Sequence, residues 1–177
     1  EAAAQRAAKG LNNIAFAVAD VHDLPFDEEM FDLVVCRRAA HHFSDLPLAL
    51  DEMQAVLKPG GLLVIDDRSV PESPFAIACM NRLDAYHDPS HVFEYPPVEW
   101  EDLLRDAGLL VETVEPYMHH RPLRALTDGA PGDNGGRILA AIEELNAYQR
   151  SVLNLVEHAG ELYINQWYVL AVARKPY

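Results

Sequence analysis

Residues 31–68 confine this chain to a narrow set of folds. FDLVVC at 31–36 is a short apolar run that stops on Arg37, and LLVID at 62–66 is another that stops on Asp67 and Arg68. Between them Asp45 stands where a helix cap belongs and Pro47 lies in the first turn. Leu46, Leu50, Met53 and Leu57 then share one helical face. Lys58-Pro59-Gly60-Gly61 ends that helix. Two apolar strands separated by a helix predict parallel pairing, because parallel neighbours need a crossover between them.

A third apolar run, NIAFAVA at 13–19, reads as a buried strand ending on Asp20. In open α/β sheets ligands sit at the carboxyl ends of strands. Asp20, Val21, His22, Arg37, His41 and His42 are therefore candidates for one shared site. Residues 21–30 are polar and contain Pro25, so they read as an acidic loop anchored inward by Leu24 and Phe26.

The later chain continues the pattern with one interruption. Phe75, Cys79, Leu83 and Tyr86 have helical spacing, and this helical insertion, about residues 70–95, is expected to wall the substrate side. Pro97 opens a helix carrying Trp100, Leu103 and Leu104, closed by Gly108, and residues 109–115 read as a strand. Residues 116–136 are rich in Pro, Gly and Asp and predict a long loop or lid, the start of a loop and helical segment over about 116–160. Ile138, Ile142, Leu145, Tyr148, Val152 and Val156 predict one continuous helix. WYVLAVA at 167–173 is the closing strand. There is no internal repeat, and 1–177 reads as one domain.

Composition removes several classes. With 14 Lys plus Arg against 28 Asp plus Glu, the net charge of −14 argues against nucleic acid as a partner. Cys36 and Cys79 have no metal spacing, and no zinc or nucleophile-elbow motif occurs, so no metal is expected. No apolar run is long enough to span a bilayer, so the expectation is a soluble, cytoplasmic protein with no membrane partner.

Taken in order, Ala19-Asp20-Val21, Leu24-Pro25-Phe26, residues 31–37, His41-His42-Phe43 and Leu57-Lys58-Pro59-Gly60-Gly61 resemble a known family. It is the ubiquinone and menaquinone biosynthesis branch of the class I S-adenosylmethionine-dependent methyltransferases. The likeness runs from residue 1 to about 108 and is looser beyond. It implies an α/β, Rossmann-like doubly wound sheet that is N-terminally incomplete, since the first two strands and the glycine-rich loop of that family would precede Glu1. It also implies S-adenosylmethionine as cofactor, a small-molecule substrate, and a closing strand that is antiparallel and inserted between its two predecessors.

By the same resemblance, Asp20 takes the adenine amino group and the Val21 backbone the ring. His22 and Leu24 complete that end, and Arg37 lies at the methionine end. Each has a blander reading: Asp20 starts a turn, and Arg37 and Arg38 pair with the acidic loop at Asp27–Glu29. His41 and His42 are the candidates for a catalytic base, against the alternative that one caps a turn and the other packs. Arg68, Tyr86 and His91 are substrate-side candidates, with Arg68 suited to an anionic acceptor unless it merely pairs with Asp67. A non-catalytic remnant that binds a partner is the competing function, and a Rossmann-type oxidoreductase is disfavoured by Leu24-Pro25-Phe26 and the Lys-Pro-Gly-Gly turn. A chain starting at Glu1 leaves apolar sheet edges open, so the expected assembly is a strand-swapped homodimer or a poorly folding chain, unless residues precede Glu1.

Overall fold

The structure, a computed structural model, describes the backbone of residues 2–177 and the side chains from residue 4 onward. Glu1 lies outside the described residues; the first helix, α1, is Ala2–Ala8. The sheet comprises β1 (Phe31–Arg37), β2 (Leu57–Ser69), β3 (Leu110–Pro122), β4 (Val156–His158) and β5 (Glu161–Arg174). Its order is β1-β2-β5-β3, with β4 also paired to β5. The remaining helices are α2 (Leu46–Ala55), α3 (Pro74–His87), α4 (Pro97–Asp106), α5 (Arg124–Thr127), α6 (Asn134–Glu143) and α7 (Ala147–Val152).

The predicted strand-helix-strand unit forms as read. β1 and β2 are parallel, with Cys36 opposite Ile65 and Arg37 opposite Asp66. Asp45 accepts from Leu48 N at the start of α2, which supplies one orphan N–H of the first turn. β5 is antiparallel and lies between β2 and β3, which brings Gln166, Trp167 and Tyr168 near the ends of β2 and β3. The Lys58-Pro59-Gly60-Gly61 turn belongs to β2 itself rather than to the helix end. Gly60 has φ +79°, and a Cβ there would meet the Tyr177 ring at 2.7 Å, so only glycine fits.

Two cores hold the chain. One lies under the sheet, where Leu46, Leu50 and Met53 of α2 and Trp100 and Leu104 of α4 meet Leu63, Ile65 and Val169. Leu50, Leu63 and Ile65 are wholly buried, and each such side chain contributes about 1.5–3 kcal/mol. The second joins α3, α5 and α6, through Met80, Leu83, Leu126, Ile138 and Ile142, so the predicted helical insertion packs on the later helical segment. Cys36 is buried in the first core, and burial followed by the charge of Asp67 pushes its thiol up to about 12, which leaves it inert.

Three expectations are corrected. Residues 13–19 form no strand: Phe16 and Val18 are exposed, and an isolated bridge between Asp20 and Asp23 is all the pairing at that end. An apolar run becomes a strand only with a ladder partner, and β1, whose Leu33 and Val35 are also exposed, pairs β2 alone among the described residues. Residues 116–122 are the second half of β3, not loop. β3 is an outer strand, where Pro116 and Pro122 lack an N–H that no neighbour requires. The long helix over 138–156 is broken at Asn146, whose side chain accepts from Gln149 N while Gln149 Oε1 accepts from Asn146 N, a capping box that starts α7.

Candidate functional site

The site grows from a bend at the carboxyl end of β1. Arg38 takes a left-handed conformation, φ 52°, and the chain then closes a 3-10 turn over Ala40–His42. The bend turns two backbone N–H groups and a ring toward Asp67 at the end of β2. Asp67 Oδ2 accepts from Ala39 N (3.1 Å) and Ala40 N (2.5 Å), and Oδ1 accepts from His41 Nδ1 (2.5 Å) and Arg68 N (2.6 Å). Burial pushes this carboxyl up. The His41 hydrogen bond and charge, and then the backbone donors, outweigh burial and hold it below the usual range. A carboxylate only accepts, so His41 carries its proton on Nδ1 and presents the lone pair of Nε2.

His41 lies on the wall of a polar cavity of about 280 Å³. His42, 4.0 Å from it between ring centres, and His91, at 5.9 Å, share that wall. His91 Nε2 meets Asn81 Oδ1 at 2.9 Å, and burial lowers its pKa to about 4. The sequence-predicted His41, His42, Arg68 and His91 are thus brought together. Tyr86 is not: its hydroxyl and ring take the guanidinium of Arg137 on α6. On α3 it is Asp84 and His87, three residues apart, that face the cavity, and Tyr86 points elsewhere on the helix.

Arg68 is in the cavity wall but is not open to an anionic acceptor. Its Nε donates to Glu94 (2.7 Å), Nη2 to Asp84 (2.5 Å) and Nη1 to Tyr168 Oη (3.4 Å). Nor does it pair with Asp67, because neighbours on a strand point to opposite faces. Burial works against the guanidinium, but the charges of Glu94 and then Asp84 hold its pKa above the ordinary range. Two acids around one cation leave a surplus. Glu94 is 1% exposed, its Oε2 has no partner, and burial followed by the charge of Asp84 pushes its carboxyl well above the usual value, so it holds a proton.

Arg37 and Arg38 pair with Asp66 rather than with the acidic loop. Arg37 Nε donates to Asp66 at 3.0 Å from an exposed side chain. Arg38 lies 3.7 Å over the Tyr168 ring and donates to Tyr117 Oη, which in turn donates to Asp66.

A second, wider pocket of about 600 Å³ opens on the other side of the turn, lined by Asp20, Val21, His22, His42 and Phe43. His42 is common to both pockets. Asp20 Oδ1 accepts from His22 N (3.0 Å) and His22 Nδ1 (2.8 Å), which lowers its pKa, while Oδ2 has no partner among the described residues. Leu24 lies in an adjoining apolar pocket with Val21, Phe26 and Met53, and its N donates to Glu52. Among the described residues no three His, Cys, Asp or Glu groups are placed to hold a metal, and no helix is long and apolar enough to cross a membrane.

Sequence reasoning missed Asp84, His87, Glu94, Gln166 and Tyr117. The 84/87 spacing on α3 was the one available signal; Gln166 and Tyr117 reach the site through the sheet order, and Glu94 through the loop between α3 and α4.

Residues 1–65 match the family described as methyltransferase domain. An uncharacterized methyltransferase of Bacillus subtilis, YcgJ, is 36% identical over 109 residues, 62% of this chain and 43% of that protein. A demethylmenaquinone methyltransferase of Staphylococcus carnosus is 41% identical over 66 residues, 37% of this chain and 27% of its own length. The aligned part thus spans less than half the length of these curated relatives. The crystal structure of Bacillus subtilis YcgJ superposes with a TM-score of 0.90 at 26% identity, covering 99% of this chain and 77% of that one.

Proposed function

We propose that this chain, whose first 65 residues match the methyltransferase domain family and whose sheet is Rossmann-like, transfers the methyl group of S-adenosylmethionine to a hydroxyl of a small organic acceptor. The observation that carries the reading is the His41–Asp67 pair beside His42, the residue at which the two pockets meet. S-adenosylmethionine, when bound, supplies an electrophilic methyl group.

The wider pocket fits the adenosine end of such a cofactor. Asp20 keeps one carboxylate oxygen without a partner, and Val21, Phe43 and the neighbouring Leu24 give apolar walls. Asp20 and the Val21 N–H would hold the adenine there. Arg37 would contribute by its backbone, since its side chain is engaged by Asp66.

On the acceptor side, His41 Nε2 takes the hydroxyl proton, and the buried anion of Asp67 stabilises the imidazolium that results. Asp67 also fixes the ring's orientation, so the lone pair is aimed before the acceptor arrives. Both pockets lie at the carboxyl edge of the parallel strands, where this type of sheet places its ligands.

Calorimetric titration of the chain with S-adenosylhomocysteine tests the reading. Binding that weakens at least about ten-fold in Asp20→Ala supports it, since the carboxylate is the group placed to accept from the adenine amine. A folded chain that gives no heat would put the non-catalytic alternative in its place.

A further inference from the structure

We infer that the acceptor is a small polyhydroxylated molecule, the size of a sugar ring or cyclitol, held by imidazole lone pairs and a buried amide; this deepens the methyl-transfer reading and rests on it for the word acceptor alone. The cavity beside His41 has about 280 Å³, at the small end of ligand sites, and Ala125 and Leu126 are its apolar members. An isoprenoid tail or a flat hydrocarbon would strand the polar groups of its wall without partners.

The wall's hydrogen-bonding character is fixed by the groups behind it. Asn81 Nδ2 donates to Ile77 O and Glu94 O, and Asn81 Oδ1 accepts from Glu94 N, so the amide's orientation is set. His91 Nε2, facing that Oδ1, must therefore carry the proton, and Nδ1 is left as a lone pair. His87 Nδ1 meets Leu126 O at 2.8 Å and must likewise be the donor, which leaves Nε2 as an acceptor. His41 completes the set, with Nδ1–H given to Asp67. Of the four imidazoles that line this small cavity, His41, His87 and His91 thus each keep an unpartnered acceptor nitrogen, while His42 Nδ1 faces Ser90.

Gln166 supplies the complementary donor. It is 5% exposed, its Oε1 accepts from Tyr168 Oη, and its Nε2 has no partner although it is not sealed from solvent. N–H groups that no protein acceptor takes, on a side chain in the cavity wall, are free to meet a ligand oxygen. Adjacent hydroxyls satisfy both needs at once, because each O–H donates to a lone pair while its oxygen accepts from Gln166 or Arg38.

The test follows the histidine ring resonances of the chain by NMR while myo-inositol, methyl α-D-glucopyranoside or 1,4-naphthohydroquinone is added. At least one polyol is expected to shift His41, His87 and His91 together and saturably. Gln166→Leu should weaken that polyol about ten-fold; His87→Phe serves if the first variant does not fold. The inference is overturned if neither polyol shifts the rings, if the naphthohydroquinone saturates them at lower concentration, or if the folded variant binds the polyol unchanged. Polyol binding without any methylation would leave this inference standing and remove the methyltransferase activity, whereas methylation of the naphthohydroquinone alone would do the reverse.

Discussion

Asp67 and Arg68 are neighbours on β2, both are buried charges, and they are satisfied in opposite ways. Asp67 is one anion met by four donors, the His41 ring and three backbone N–H groups, and no second acid shares them. The imidazole it holds keeps a nitrogen for chemistry. Arg68 is one cation met by two acids, and the excess negative charge is removed by leaving a proton on Glu94. The first arrangement prepares a reactive group; the second occupies all three nitrogens of the guanidinium and ties α3 to the sheet. A buried ion pair is thus informative about function only when its donors and acceptors are counted.

The comparison can be broken in four places. Arg68→Met leaves Asp84 and Glu94 buried without their cation, and should cost about 3–5 kcal/mol of stability by urea unfolding. A loss under 1 kcal/mol would mean that the triad is not structural. Asp67→Asn should lower the rate of methyl transfer by about 10²–10⁴ with S-adenosylhomocysteine affinity retained, because Asn no longer offers an anion to the imidazolium. Equal losses of binding and rate would instead make Asp67 a folding residue.

Glu94→Gln should change stability by no more than about 1 kcal/mol, because burial and the charge of Asp84 already favour the neutral form that glutamine mimics. Asp84→Asn, which removes the carboxylate that Arg68 Nη2 meets at 2.5 Å, should cost more, and the reverse ranking would overturn this division of roles. The smallest effect is that of His91. Its pKa of about 4 lies below the ordinary 6.5, so the unfolded chain binds the extra proton first and stability falls as pH drops from about 6.5 to about 4. His91→Gln should flatten that part of the curve in denaturation series run across it, and an unchanged slope would deny the burial of this ring.

Regular local signals were legible. Asp45 and Pro47 marked the start of α2, the apolar stops at Arg37 and at Asp67-Arg68 marked the strand ends, and His41 and His42 were placed beside them correctly. The failures share a cause. Residues 13–19 have the apolar content of a strand and no ladder partner, while Pro116 and Pro122 look like loop residues and sit in an outer strand. In both cases the neighbour, and not the segment, decides the state. The same holds for Arg68, whose acids come from residues 84 and 94.

The sequence by itself determined the parallel strand-helix-strand unit, the closing strand and the edge at which the site lies, because caps, glycine turns and apolar periodicity act over a few residues; the antiparallel sense of that strand came with the family resemblance. Only the tertiary structure decided which acids saturate Arg68, which nitrogen of each imidazole keeps its proton, and that Gln166 faces the same cavity as His41. Those outcomes depend on hydrogen bonds formed by residues far apart in the chain, and such bonds exist only where the sheet order and the packing of α3 bring the partners within about 3 Å.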